Sequence, residues 1–127
     1  MAKLDRDTAP AGPVVQGFVG GGFRIGDRIH ADGLLLAPDW ARGWKAPALD
    51  ALTAEHVADL LAQLPPPEFL LLGTGATLRR PSAGFVAALE GQGIGVEPMD
   101  SRAAARAWGM LRGEGRWIVG ALLPYRG

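Results

Sequence analysis

Residues Phe69-Leu70-Leu71-Leu72 are apolar at every position. A strand with one wet face alternates apolar with polar, whereas an unbroken apolar run suits a strand covered on both faces in the centre of an α/β sheet. The flanks fit that architecture. Upstream, Val57, Leu60, Leu61 and Leu64 recur at i, i+3, i+4 and i+7, the apolar stripe of a helix. Thr53 is its expected N-cap, and Glu55 places a carboxylate in the first turn, where the helix dipole favours it. Pro65-Pro66-Pro67 stops this helix near Leu64, because an interior proline loses a hydrogen bond and clashes with the preceding turn. Downstream, Gly73-Thr74-Gly75 opens a loop. A second helix is predicted from about Ser82 to Glu90, with Phe85, Val86 and Leu89 on one face and Gly91 and Gly93 ending it.

Ile94 to Glu97 reads as another short strand. Asp100 and Ser101 are caps for a third helix in which Ala104, Ala107, Trp108 and Leu111 keep the 3.6 period until Gly113 and Gly115. Trp117 to Leu123 is the last predicted strand, ended by Pro124. The C-terminal half therefore reads β, α, β, α, β, a succession that favours parallel strands joined by right-handed crossovers. Ahead of it, Val14 to Leu36 consists of short apolar runs broken by Gly20-Gly21-Gly22, Asp27 and Asp32-Gly33, the pattern of a meander with tight turns. Ala37 to Leu49 carries Trp40, Trp44 and Pro47 without periodicity and is expected to be an irregular connection. The sum is an α/β domain with a β-rich N-terminal extension. With 127 residues there is room for one domain, expected over 13–127, after a flexible start over 1–12 that mixes Lys3, Asp5, Arg6, Asp7 and Pro10.

Lys plus Arg equals Asp plus Glu at 13 each, so no global field draws the chain to nucleic acid or to an acidic membrane. Cysteine is absent, which excludes a disulfide framework, a thiolate metal site and a cysteine nucleophile. The first residues lack the apolar core of a secretory signal, and no window approaches the roughly 20 apolar residues of a membrane span. The expectation is a soluble, cytoplasmic protein without a transmembrane segment.

Chemistry has one natural location. If Phe69 to Leu72 and Ile94 to Glu97 are parallel neighbours, the loops that follow them leave from the same sheet edge, where open α/β sheets bind ligands. Gly73, Thr74, Gly75 and Arg79 from one loop, with Asp100 and Ser101 from the other, could hold an anion there. The same residues are equally those of a tight turn and a helix cap, which are commoner than sites. Gly73-Thr74-Gly75 lacks the third glycine of a dinucleotide fingerprint, and no lysine follows as in a P-loop. His30 with Asp32 offers two metal ligands and no evident third, and His56 reads as a solvated residue of a first helical turn. No histidine is placed beside Ser82 or Ser101 to activate a nucleophile. Glu114 and Arg116 suggest an ion pair across a turn. Trp40 and Trp44, with Arg42 between them, are the residue types enriched at protein interfaces and mark either a contact surface or core packing.

Taken in order, Gly33-Leu34-Leu35-Leu36, Trp44, Phe69 to Gly75, Gly93-Ile94-Gly95-Val96-Glu97-Pro98-Met99-Asp100-Ser101, Leu111-Arg112-Gly113-Glu114-Gly115-Arg116 and Ala121-Leu122-Leu123-Pro124 resemble one known family from about Gly20 onward. It is the family that contains complex I assembly factor 3 together with bacterial and archaeal proteins of unknown function. The resemblance implies a three-layer α/β domain: a central mixed, mostly parallel sheet, flanking helices and an additional N-terminal β layer. The chain departs from the family pattern at Trp108-Gly109, where an aromatic followed by Asn is usual, and at Ser101, where Thr is usual.

Two functions follow as expectations. The first, implied by the resemblance, is a non-enzymatic binding module that helps assemble respiratory complex I. Its partners would be complex I subunits or insertion factors, and they would hold it peripherally at the inner membrane. It would need no cofactor, no metal and no catalytic residue, and Trp40 and Trp44 would be its contact residues. The alternative is a small-molecule enzyme or sensor that binds an anionic ligand at the Gly73–Gly75 and Asp100–Ser101 edge. A nucleic-acid module ranks last, given the zero net charge.

Overall fold

The computed structural model describes residues 12–126, so most of the start expected to be flexible lies outside the described residues. The meander is found and is shorter than expected. It comprises β1 (Gly17–Val19), β2 (Gly22–Ile25) and β3 (Arg28–His30), all antiparallel. Val19 pairs with Gly22, so Gly20 and Gly21 alone make the first turn, and both take positive φ, as a two-residue hairpin loop requires.

Leu34 to Leu36, expected within the meander, belongs to the other sheet. Gly33, at φ +127°, turns the chain there, and a Cβ on it would lie 2.6 Å from Trp44 Nε1 and 2.9 Å from the Leu122 carbonyl oxygen. β4 (Leu34–Leu36), β5 (Ala41–Gly43), β6 (Phe69–Gly73), β7 (Gly95–Met99) and β8 (Val119–Leu122) form a five-stranded sheet in the order β5-β4-β8-β6-β7. β6 pairs in parallel with β7 and β8, as the β, α, β, α, β pattern predicts. β4 pairs antiparallel with β8 and β5. The sheet is thus mixed, with parallel and antiparallel pairings in equal number. Its central strand is β8, and β6 lies one place off centre.

Alternate residues of the strands feed two cores. Leu35, Leu70, Leu72, Val119 and Ala121 pack with Phe85 and Leu89 of α2 (Ala83–Glu90) and with Val57 and Leu60. On the other face, Leu34, Leu36, Leu71 and Leu122 pack with Ala104, Ala105 and Trp108 of α3 (Ser101–Gly113) and with Phe23 of the small sheet. Phe69 to Leu72 is apolar throughout because it serves both cores. Of the expected caps of α3, Asp100 serves, its Oδ1 accepting from Ala103 N–H at 2.9 Å, whereas Ser101 is the first residue of the helix; α2 is capped by Ser82, whose Oγ accepts from Phe85 N–H at 3.1 Å.

The helix expected from Thr53 to Leu64 is a 3₁₀ turn (Ala54–Val57) followed by the single α-helical turn α1 (Ala58–Leu61). Leu64 is 84% exposed and takes no part in the apolar stripe. The residue before a proline is disfavoured in helical conformation, so the chain leaves the helix before Pro65. His56 is more than a solvated residue. Its Nδ1 accepts the Thr53 N–H at 2.9 Å, the part that Glu or Gln plays in a capping box. The connection expected to be irregular holds edge strand β5, which carries no apolar alternation to announce it.

Candidate functional site

The parallel pairing of β6 with β7 and β8 brings three chain segments to the carboxyl edge of the sheet: the loop from Gly73 to Ser82, the entry to α3 at Asp100, and Leu123 to Arg126. Gly73, Thr74, Gly75, Asp100 and Ser101 are therefore gathered in one place, and their polar groups are taken up by bonds within and between these segments. Gly75 N–H donates to Ser101 Oγ at 2.8 Å, and Ser101 N–H donates to the Gly75 carbonyl at 2.8 Å. Thr74 N–H donates to the Met99 carbonyl at 2.8 Å. Its hydroxyl reaches the Thr77 carbonyl at 2.7 Å and the Met99 carbonyl at 3.1 Å, and accepts from Arg79 N–H at 3.0 Å. Leu123 N–H donates to the Gly73 carbonyl at 2.9 Å. Ser101 is fully buried and Thr74 nearly so, while Asp100 caps α3. These groups lock two loops together, which is what buried polar groups must do to avoid an unmet hydrogen bond.

The close approach is tight at Gly73, where a Cβ would lie 2.7 Å from Ser101 Oγ and 2.9 Å from Leu122 Cδ2. Arg79 extends from the rim of this lock and is exposed. Beside it lie residues the sequence reading did not single out. Arg102 stacks over the Tyr125 ring at 4.5 Å, and Arg126 donates to the Ala31 carbonyl at 3.2 Å. Arg102 lies two residues after the cap Asp100, a sequence signal for its position. Nothing local indicates Arg126, which reaches the edge only because β8 is central.

Trp40 and Trp44 are half-buried against the core that contains Leu35 and Leu70. Trp44 Nε1–H donates to the Leu122 carbonyl at 3.2 Å, and the Arg42 guanidinium lies 4.8 Å from the Trp40 ring centroid while pairing with Asp59 at 2.7 Å. Each tryptophan thus has a packing role. Arg116 does not pair with Glu114. It makes an ion pair with Glu68 at 2.8 Å, because the start of β6 lies beside the entry to β8. The Arg116 hydrogen bond, followed by that from Trp117 N–H, holds the Glu68 carboxyl below its usual range, and Glu68 raises Arg116 in return. Among the described residues, no three His, Asp or Glu side chains converge to hold a metal ion, and no helix is long and apolar enough to cross a membrane.

The architecture is a mixed α/β fold with two sheets and three helices, and it matches a structurally known type. An Mth938-like domain of Bordetella pertussis, solved by NMR, is similar at a TM-score of 0.76 and 29% identity, over 97% of this chain and 92% of that one. The chain belongs to the family described as protein of unknown function DUF498/DUF598, whose model matches residues 15–123. An uncharacterized protein of Rhodobacter capsulatus is 34% identical over 127 residues, all of this chain and 96% of that protein. The NADH dehydrogenase [ubiquinone] 1 alpha subcomplex assembly factor 3 of Danio rerio is 28% identical over 116 residues, 91% of this chain and 67% of that protein. The family resemblance read from the residues is thereby shown.

Proposed function

We propose that this protein is a binding module without chemistry of its own, folded as one α/β domain over residues 13–127, that helps assemble respiratory complex I from the cytoplasmic side. Protein partners, complex I subunits or insertion factors among them, would hold it at the inner membrane. The observation that carries this reading is the similarity to the Danio rerio assembly factor across nearly the whole chain. The geometry is in keeping with it. At the sheet edge where an α/β enzyme would place reactive groups, Gly75 and Ser101 are bonded to each other and the Thr74 hydroxyl is taken up by the Thr77 and Met99 carbonyls.

Affinity isolation from the source cells in mild detergent, with mass-spectrometric identification of what co-purifies, tests the reading. Enrichment of NADH dehydrogenase subunits or insertion factors is the expected result. Repeated isolation without any stable partner would overturn it.

A further inference from the structure

The chain is charge-balanced overall, yet the carboxyl edge of its main sheet is basic. Two depressions of about 430 and 460 Å³ adjoin there and share Ala76 and Arg126 in their walls. Arg79 and Asp50 also line the first, and Arg102 and Tyr125 the second. Three guanidiniums thus face one carboxylate of the lining. Asp32 stands 3.8 Å from Arg126, but both side chains are more than half exposed, and such a pair is weak and readily exchanged.

Two of these arginines are held in place. Arg102 is stacked on Tyr125, and Arg126 is tethered to the Ala31 carbonyl, so each loses less freedom on binding than a loose side chain would. The floor between them is firm, because Thr74 Oγ1 braces the loop through Thr77, Met99 and Arg79. Along that loop the N–H groups of Ala76, Thr77 and Leu78 meet no acceptor among the described residues. Guanidiniums and free backbone N–H groups share a preference for oxyanions.

We propose that this cleft docks an acidic segment of a protein partner, with its Asp or Glu carboxylates on Arg79, Arg102 and Arg126 and its apolar atoms against the half-buried Pro47 and Pro124. The inference rests on the reading of the chain as a protein-binding module and names the face. A protein segment fits better than a metabolite because the cleft is open. The Arg126 side chain is 61% exposed, whereas small-molecule sites enclose most of their ligand. An extended segment can span both depressions and add up several exposed contacts.

The test is an NMR titration of the ¹⁵N-labelled protein with a short peptide of alternating Glu and Ala, and with its Gln counterpart. The Glu peptide should move the amides of Ala76, Thr77, Leu78 and Tyr125, and less so as salt is raised. Arg79→Glu or Arg126→Glu should weaken binding about tenfold or more, equivalent to about 1.4 kcal/mol. Arg28→Glu, the same charge change on exposed β3, should leave it intact. No shifts, shifts scattered over the surface, or an equal loss in Arg28→Glu would overturn the proposal. So would inorganic pyrophosphate saturating the same amides far below the peptide concentration needed, which would assign the cleft to small anions. If partners isolated with the wild type also co-purify with Arg79→Glu and Arg126→Glu, the face is wrong and the binding-module reading stands.

Discussion

Removing the Ser101 hydroxyl tests whether the sheet edge is a structural lock. Ser101→Ala deletes the acceptor that Gly75 N–H reaches at 2.8 Å, and both residues are buried, so water cannot replace it without opening the loop. A buried donor left unmet costs about 1 to 3 kcal/mol. An unfolding entropy of about 2.1 cal/mol/K per residue, over 127 residues, makes 1 kcal/mol worth about 4 °C, so a midpoint drop of about 4 to 11 °C is expected. The assay is urea and thermal unfolding followed by tryptophan fluorescence and circular dichroism, with the urea slope checked for constancy. Gly73→Ala should destabilise comparably, since its methyl would meet Ser101 Oγ at 2.7 Å. The double variant should cost less than the sum, because deleting the hydroxyl removes the worst of that clash. A Ser101→Ala protein within about 0.3 kcal/mol of wild type, or strict additivity in the pair, would refute the reasoning.

Glu68 is depressed by Arg116, so its contribution is present above the unfolded carboxylate range and is lost as pH falls through its folded value; urea midpoints across acidic pH should decline less steeply in Glu68→Gln than in wild type. Trp44→Phe removes the donor to the Leu122 carbonyl while keeping the ring's packing, and should cost about 0.5 to 1.5 kcal/mol in urea unfolding. Gly95 N–H bonds Glu68 and the Met99 carbonyl receives Thr74 N–H, so by alternation Val96 and Pro98 face away from β6 on edge strand β7. Pro98 thus withholds a donor from the open edge, and Pro98→Thr should shift sedimentation toward larger species as concentration rises; unchanged profiles would count against this guard.

Local signals proved legible where local forces set the structure. Asp100 caps its helix as its position suggested, because a side-chain oxygen needs only the next turn's N–H groups. The gathering of Gly73 to Gly75 with Asp100 and Ser101 was also legible, because it follows from two parallel neighbours with a helix after each. Leu64 was misread because the apolar spacing continues into a stretch where the following prolines forbid helix. Strand β5 was missed because a three-residue edge strand needs only a partner, not a pattern.

By itself, then, the sequence determined the order and kind of the C-terminal elements, the two-faced burial of Phe69 to Leu72 and the family. Each is carried by residue periodicity, capping chemistry or motif order along the chain. Only the tertiary structure decided that Leu34 to Leu36 leaves the meander to pair antiparallel with β8, that Arg116 meets Glu68, and that Arg126 joins Arg79 and Arg102. Those arrangements depend on contacts between residues far apart in the chain. Their energy comes from burying both faces of one sheet at once, which no local window of sequence records.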